Sequence, residues 1–225
     1  MRFVPLISCG LDPAPWRVLG PVALAWDAAL DARWEGEALR GMPIHTVHLP
    51  GREPVLEGLE VLHHRNLGPD FLVLPVAHPA SREAGFRLLG DLEALLEASS
   101  GRGVKLALRL ATGATATVKD LLHQARCEAV GFCWHAGSED LEALADRLWT
   151  GVCKPGADLR ALQHLGYRWD MALPTEDPET FRAQAAALEA AHPPVLFPEE
   201  RPATALGRPV VPDEGVVLGR HWNLP

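Results

Sequence analysis

Hydrophobic residues along this chain follow two rhythms that alternate from one end towards the other. Short apolar runs, several with a period of two, cover RFVPLIS (2–8), VALAWD (22–27), IHTVHL (44–49), FLVLPVAH (71–78), VKLALRL (104–110), AVGFCWH (129–135), GVCK (151–154) and YRWDMAL (167–173). Runs of this length and composition predict β-strands. Between them lie stretches with apolar residues at helical spacing: REAGFRLLGDLEALLEASSG, which starts behind Ser81 and stops at Gly101, then ATVKDLLHQA, SEDLEALADRLW, DLRALQHLG and DPETFRAQAAALEAA. The last of these opens on Asp177 and Pro178, a capping side chain followed by a proline where the missing N–H costs nothing. The segment after the first strand, DPAPWRVLG, is proline-rich. It predicts a short or irregular helix there.

Strands that alternate with helices run parallel and are joined by crossovers. Eight such units before residue 192 predict an α/β fold, a small (β/α)8 TIM barrel spanning 1–192. An open doubly wound sheet is the structural alternative, but no glycine-rich phosphate loop follows the first strand. From 193 to 225 the chain loses its helical period and becomes dense in proline and glycine. Val195, Leu196, Phe197 and Trp222 are too apolar to be left in water, so this segment predicts an extended arm on the barrel or on a neighbouring copy. The second placement would make the protein a homo-oligomer.

Barrels keep their chemistry at the carboxyl ends of the strands, on inward-pointing side chains. The bulky face of each strand must pack on helices, which leaves the other face for the interior. Strand two then turns Ala23, Ala25 and Asp27 inward, and strand five turns Lys105, Ala107 and Arg109 inward. In strand six Val130, Phe132 and Trp134 face out while Gly131, Cys133 and His135 face in. Strand eight turns Arg168, Asp170 and Ala172 inward. His48 and His78 close strands three and four, and Lys154 closes strand seven. The expected site is a ring of ionisable groups around one mouth: His48, His78 and His135 as catalytic candidates, with Arg109, Lys154, Asp27 and Asp170 as substrate-binding ones. A lone histidine at a strand end is more often a structural hydrogen-bonder, and Arg109 has an internal ion pair with Asp27 or Asp170 as its bland alternative. Several ionisable groups on one rim cost desolvation energy that a merely structural barrel avoids. His63, His64 and His123 fall on helical stretches and are expected to face solvent, while Cys127 and Cys153 read as small core residues.

Composition narrows the partners. A net charge of −8 with no basic stripe argues against nucleic acid. No apolar run is long enough to span a membrane. The four cysteines form no CxxC pair, which suits a reducing cytoplasm.

The order PIHTVHLPG, FLVLPVAHP, VKLALRLA and VGFCWHAG resembles the xylose isomerase-like barrels, a group of sugar-phosphate isomerases, epimerases and endonuclease IV-type enzymes. The resemblance covers roughly residues 1 to 190, on short motifs. It implies a divalent metal held by carboxylates and histidine. Here the sequence departs from the pattern. Arg109 stands where the fifth strand would end in glutamate, and His135 lacks its companion aspartate. Lys154 replaces a histidine or acid, and Ala172 replaces the last glutamate. Cations in place of acids repel a divalent ion, so no cofactor is expected. Zinc or manganese on His48, His78, His135 and Asp27 or Asp170 is the variant. Two functions compete: an isomerase or epimerase acting on a small anionic sugar-type ligand, and a barrel without catalysis that binds or scaffolds. Metal-dependent DNA repair ranks below both, because the chain is acidic and the carboxylates are missing.

Overall fold

A computed structural model describes residues 1–8, 11–26, 39, 41–50, 54–63, 68–136, 141–167 and 169–193. The strands are β1 (Arg2–Ser8), β2 (Val22–Ala25), β3 (Ile44–His48), β4 (Phe71–Val76), β5 (Lys105–Leu110), β6 (Val130–His135), β7 (Leu148–Val152) and β8 (Asp170–Pro174). All neighbouring pairs are parallel, and β8 returns to β1, so the sheet closes as an eight-stranded barrel. Helices α1 (Pro54–His63), α2 (Arg82–Ser99), α3 (Thr115–Gln124), α4 (Leu141–Leu144), α5 (Arg160–His164) and α6 (Pro178–Ala191) fill the connections, with a 3-10 turn at Ala14–Leu19 after β1. The barrel forms one compact unit, Met1–His192. The expected arm beyond residue 193 lies outside the described residues, as do Cys9, His64, Arg168 and Asp27.

Two helix starts agree with their sequence signals. The Ser81 hydroxyl accepts from the Ala84 N–H at 3.2 Å, and the Asp177 carboxylate accepts from Glu179 and Thr180 at 3.0 and 2.8 Å. One helix is much shorter than its periodicity predicts. SEDLEALADRLW gives only α4 and a 3-10 turn at Ala145–Arg147 among the described residues, and Leu148 and Trp149 pass into β7. Leu148 pairs with Phe132 of β6 and is 6% exposed, so sheet pairing and burial outweigh helical spacing at that point.

The register separates two cores. Outward residues such as Leu24, Leu72, Leu108, Phe132 and Met171 join helix residues Leu95, Leu122 and Leu188 in the main apolar cluster. Inside the barrel sit two small clusters, Val4 with Ala23 and Ala172, and Val73 with Ala107 and Cys133. These two interior clusters are built of small residues, while the large apolar cluster lies between sheet and helices.

Gly131 has a specific reason to lack a side chain. A Cβ there would stand 2.1 Å from the Trp149 ring, which occupies the space beside it. Gly131→Ala is expected to cost about 1–3 kcal/mol through overpacking. In a Trp149→Ala background the same change should cost less, because the ring no longer competes for the space. Urea denaturation of the four chains measures both quantities. Equal costs in the two backgrounds would show that the contact is relieved some other way.

Candidate functional site at the carboxyl mouth

Three of the seven expected site residues come from the inner face at the carboxyl end of the strands. His48 closes β3 and shares its register line with Ala25 and Val73. Arg109 is the penultimate residue of β5, opposite Pro75. His135 closes β6, beside Val152. Two further residues lie just past strand ends rather than on them. His78 follows β4 by two residues and Lys154 follows β7 by two, and both are exposed. Asp27 falls outside the described residues.

Asp170 requires a correction. Its inward orientation is as expected, but it opens β8 instead of approaching its end, and it pairs in register with Arg2, the first residue of β1. The two form an ion pair across the β1–β8 seam. The apolar pattern of YRWDMAL starts three residues before the strand does, so parity is legible in the sequence while position along the barrel axis is not. Arg109 and Asp170 therefore sit at opposite ends, which removes one of the two internal partners considered for Arg109.

The electrostatics of the mouth centre on Arg109. Its side chain is half-buried and makes no hydrogen bond or ion pair among the described residues. His48 is 4% exposed, and its Nε2 lies 3.0 Å from the Thr46 hydroxyl. Burial first, then the positive charge of Arg109, push the His48 pKa down to about 3. This ring stays neutral at physiological pH, so the proton-transfer role open to a histidine that titrates near neutrality does not suit it. Its Nδ1 is buried and has no partner among the described residues. Cys133, also in the interior, has its thiol pushed up to about 12 by burial. It is a small apolar filler and not a nucleophile.

The tautomers of the other two histidines follow from their partners, since a carbonyl oxygen has no proton to give. His135 donates from Nε2 to the Leu110 carbonyl at 3.2 Å, which leaves Nδ1 as the basic nitrogen of the neutral ring. This bond bridges β5 and β6 at the mouth. His78 donates from Nδ1 to the Pro79 carbonyl at 3.0 Å, and its Nε2 accepts from the Thr117 hydroxyl at 3.3 Å. His135 is half-buried and its Nδ1 has no partner among the described residues, whereas both nitrogens of His78 are engaged.

A cleft of about 490 Å³ opens at the opposite, amino-terminal end, lined by Arg2, His45, Asp70, Phe71, Gly103, Lys105, Trp169 and Asp170. Its charges mostly answer one another. Arg2 pairs with Asp170, His45 donates to Asp70 at 3.1 Å, and the Lys105 ammonium lies 5.9 Å from the Phe71 ring and 6.0 Å from the Trp149 ring. Nothing in the periodicity singled out His45, because a register shift between Val22 and Ala23 intervenes in the β2–β3 pairing beside it. The amino end of a barrel ordinarily serves stability. At the carboxyl mouth Arg109 has no acidic partner among the described residues.

The barrel is similar in fold to solved xylose isomerase domain and sugar epimerase structures. A xylose isomerase domain protein from Planctomyces limnophilus superposes with a TM-score of 0.60 at 14% identity, over 84% of this chain and 94% of that one. A Thermus thermophilus protein soaked with zinc chloride gives 0.59 at 22% identity, over 85% and 99%. A D-allulose 3-epimerase from Methylomonas sp. in complex with D-allulose gives 0.51 at 14% identity, over 76% and 83%. At these identities the likeness establishes a shared fold. No family model and no curated protein matches the sequence.

The described residues of the mouth do not fit the divalent metal that the resemblance implies. Among the described residues no three His, Cys, Asp or Glu side chains converge to hold an ion. Arg109, which has no acidic partner among the described residues, would repel one from the same wall. Among the described residues, no helix is long and apolar enough to cross a membrane.

Proposed function

We propose that the carboxyl mouth binds a small anionic sugar-type ligand, a sugar acid or sugar phosphate, and that the barrel is an isomerase or epimerase of such compounds. The observation that carries this reading is Arg109, a half-buried cation without a carboxylate partner among the described residues. Burying a guanidinium unanswered is costly, and a carboxylate or phosphate can answer it with two parallel hydrogen bonds. Lys154, exposed past β7, adds a second cation near the same end of the barrel. The D-allulose in the Methylomonas epimerase supports the sugar class by analogy of fold. In this reading His135 moves the proton through its Nδ1, and His78 stands by at the rim.

A competing reading, a barrel that binds without catalysis, is favoured by one observation: no metal-holding cluster among the described residues. The two readings share their binding step and part at turnover.

The binding step is tested by thermal shift with sugar phosphates and sugar acids against wild type and Arg109→Ala. A ligand at a hundredfold excess over Kd stabilises the wild type by about 2.7 kcal/mol, which is roughly 5–10 °C for a chain of this size. The shift is expected to vanish in Arg109→Ala. No shift with any anion, or an equal shift in the variant, would sink the proposal. Epimer exchange of a bound sugar, followed by solvent deuterium uptake, then separates the enzyme from the silent barrel.

A further inference from the structure

His48 invites an inference that rests on the anion-binding reading and goes beyond it. His48 is nearly fully buried and one of its nitrogens has no partner among the described residues, which is costly in a barrel interior. Its register neighbours Ala25 and Val73 have no polar side-chain atom to offer Nδ1. The partner it does have is unusually permissive. The Thr46 hydroxyl can donate to Nε2 or accept from it, so the single ring proton can sit on either nitrogen without losing that bond. Arg109 stands on the same inner face near the same end of the barrel, close enough for its charge to oppose a second proton on the ring.

We propose that His48 is the second anchor of the anion, donating from Nδ1–H to a phosphate or carboxylate oxygen held by Arg109, with Thr46 as the positioning residue that accommodates this tautomer. The role is recognition by a neutral donor. It differs from proton transfer, in which the ring would cycle between neutral and charged forms. A neutral donor beside a guanidinium adds a directed hydrogen bond to the point of charge, without the repulsion that a second buried cation would bring. The ligand class is an oxyanion small enough to enter the barrel mouth, and inorganic phosphate is the minimal probe.

The test uses the full chain and the paired substitution Thr46→Val with His48→Met, which removes both ends of the internal hydrogen bond together. Replacing both partners by apolar groups of similar shape is nearly neutral for stability. The melting temperature without phosphate is therefore expected to equal or exceed that of wild type. Phosphate affinity is expected to fall by about tenfold or more, the weight of one hydrogen bond to a charged group. A purely structural His48 leaves phosphate affinity unchanged in the paired variant, and this would overturn the inference.

Controls separate it from its parent reading. Phosphate binding lost in Arg109→Met but kept in the paired variant would leave the anion site standing and remove His48 from it. No binding to wild type would overturn both. Should the paired variant fail to fold, ¹⁵N spectra of the histidine rings in wild type decide. Phosphate should leave the His48 Nδ1 protonated, and an Nδ1 that stays bare in its presence would overturn the proposal.

Discussion

Phe132→Ala is expected to cost about 3–5 kcal/mol, close to half the stability of an ordinary domain. Phe132 is fully buried on the outward face of β6, in the main core between sheet and helices. The Arg147 guanidinium lies 5.7 Å from its ring centroid and also donates to the Cys127 carbonyl at 2.9 Å. Truncation would thus open a cavity and loosen the cation that ties the turn before β7 to the end of the α3 connection. The surroundings cannot easily collapse, because Phe132 is held in register with Leu108 on one side and Leu148 on the other. Urea or guanidinium unfolding, with the slope checked for constancy, measures the loss. A cost near 1 kcal/mol would mean that the outer core repacks, and that the division into two cores matters less than the register suggests.

The second large effect is a dependence on acid. Burial and the charge of Arg109 push the His48 pKa down from its ordinary 6.5 to about 3. Above pH 6.5 neither the folded nor the unfolded ring is charged, and the group contributes no slope. As pH falls from 6.5 towards 3 the unfolded chain takes up a proton that the native chain refuses. Stability therefore falls in that window, with a slope approaching about 1.4 kcal/mol per pH unit, and this contribution levels off below pH 3. Carboxylates add slopes of their own, so the informative quantity is a difference. The Thr46→Val, His48→Met chain should lose less stability than wild type between pH 6.5 and 4, since it lacks the titrating ring. Parallel curves for the two chains would show that His48 takes up its proton in the native state, and would contradict its neutral role at the mouth.

The same ring explains why one expectation from sequence needed physical correction. A histidine at a strand end suggests proton transfer because its ordinary pKa lies near neutrality. Burial against Val73 and Ala25, with Arg109 nearby, removes that property from His48. His135 is only half-buried and is fixed in tautomer by the Leu110 carbonyl. Which histidine suits which task depends on depth in the barrel, and depth leaves no mark in the local pattern.

Sequence alone determined the barrel and the two faces of most of its strands. Both are consequences of local periodicity, because a strand that packs helices on one side must carry its bulk there. Leu106, Leu108 and Leu110 point out while Ala107 and Arg109 point in, and Phe132 opposes Gly131 and Cys133 in the same way. The helix caps at Ser81 and Asp177 were equally local and equally legible. Tertiary structure decided the axial positions. Asp170 went to the amino end with Arg2, His78 and Lys154 fell past their strands, and Leu148 and Trp149 left a helical pattern for β7. It also decided why Gly131 is glycine, since the Trp149 ring that needs the space comes from a neighbouring strand. Alternation has a period of two and so carries the facing of each residue. Stagger between strands is set by closure of the whole ring, through register shifts such as those at Val22/Ala23 and Phe132/Cys133, and that is a property of eight strands together.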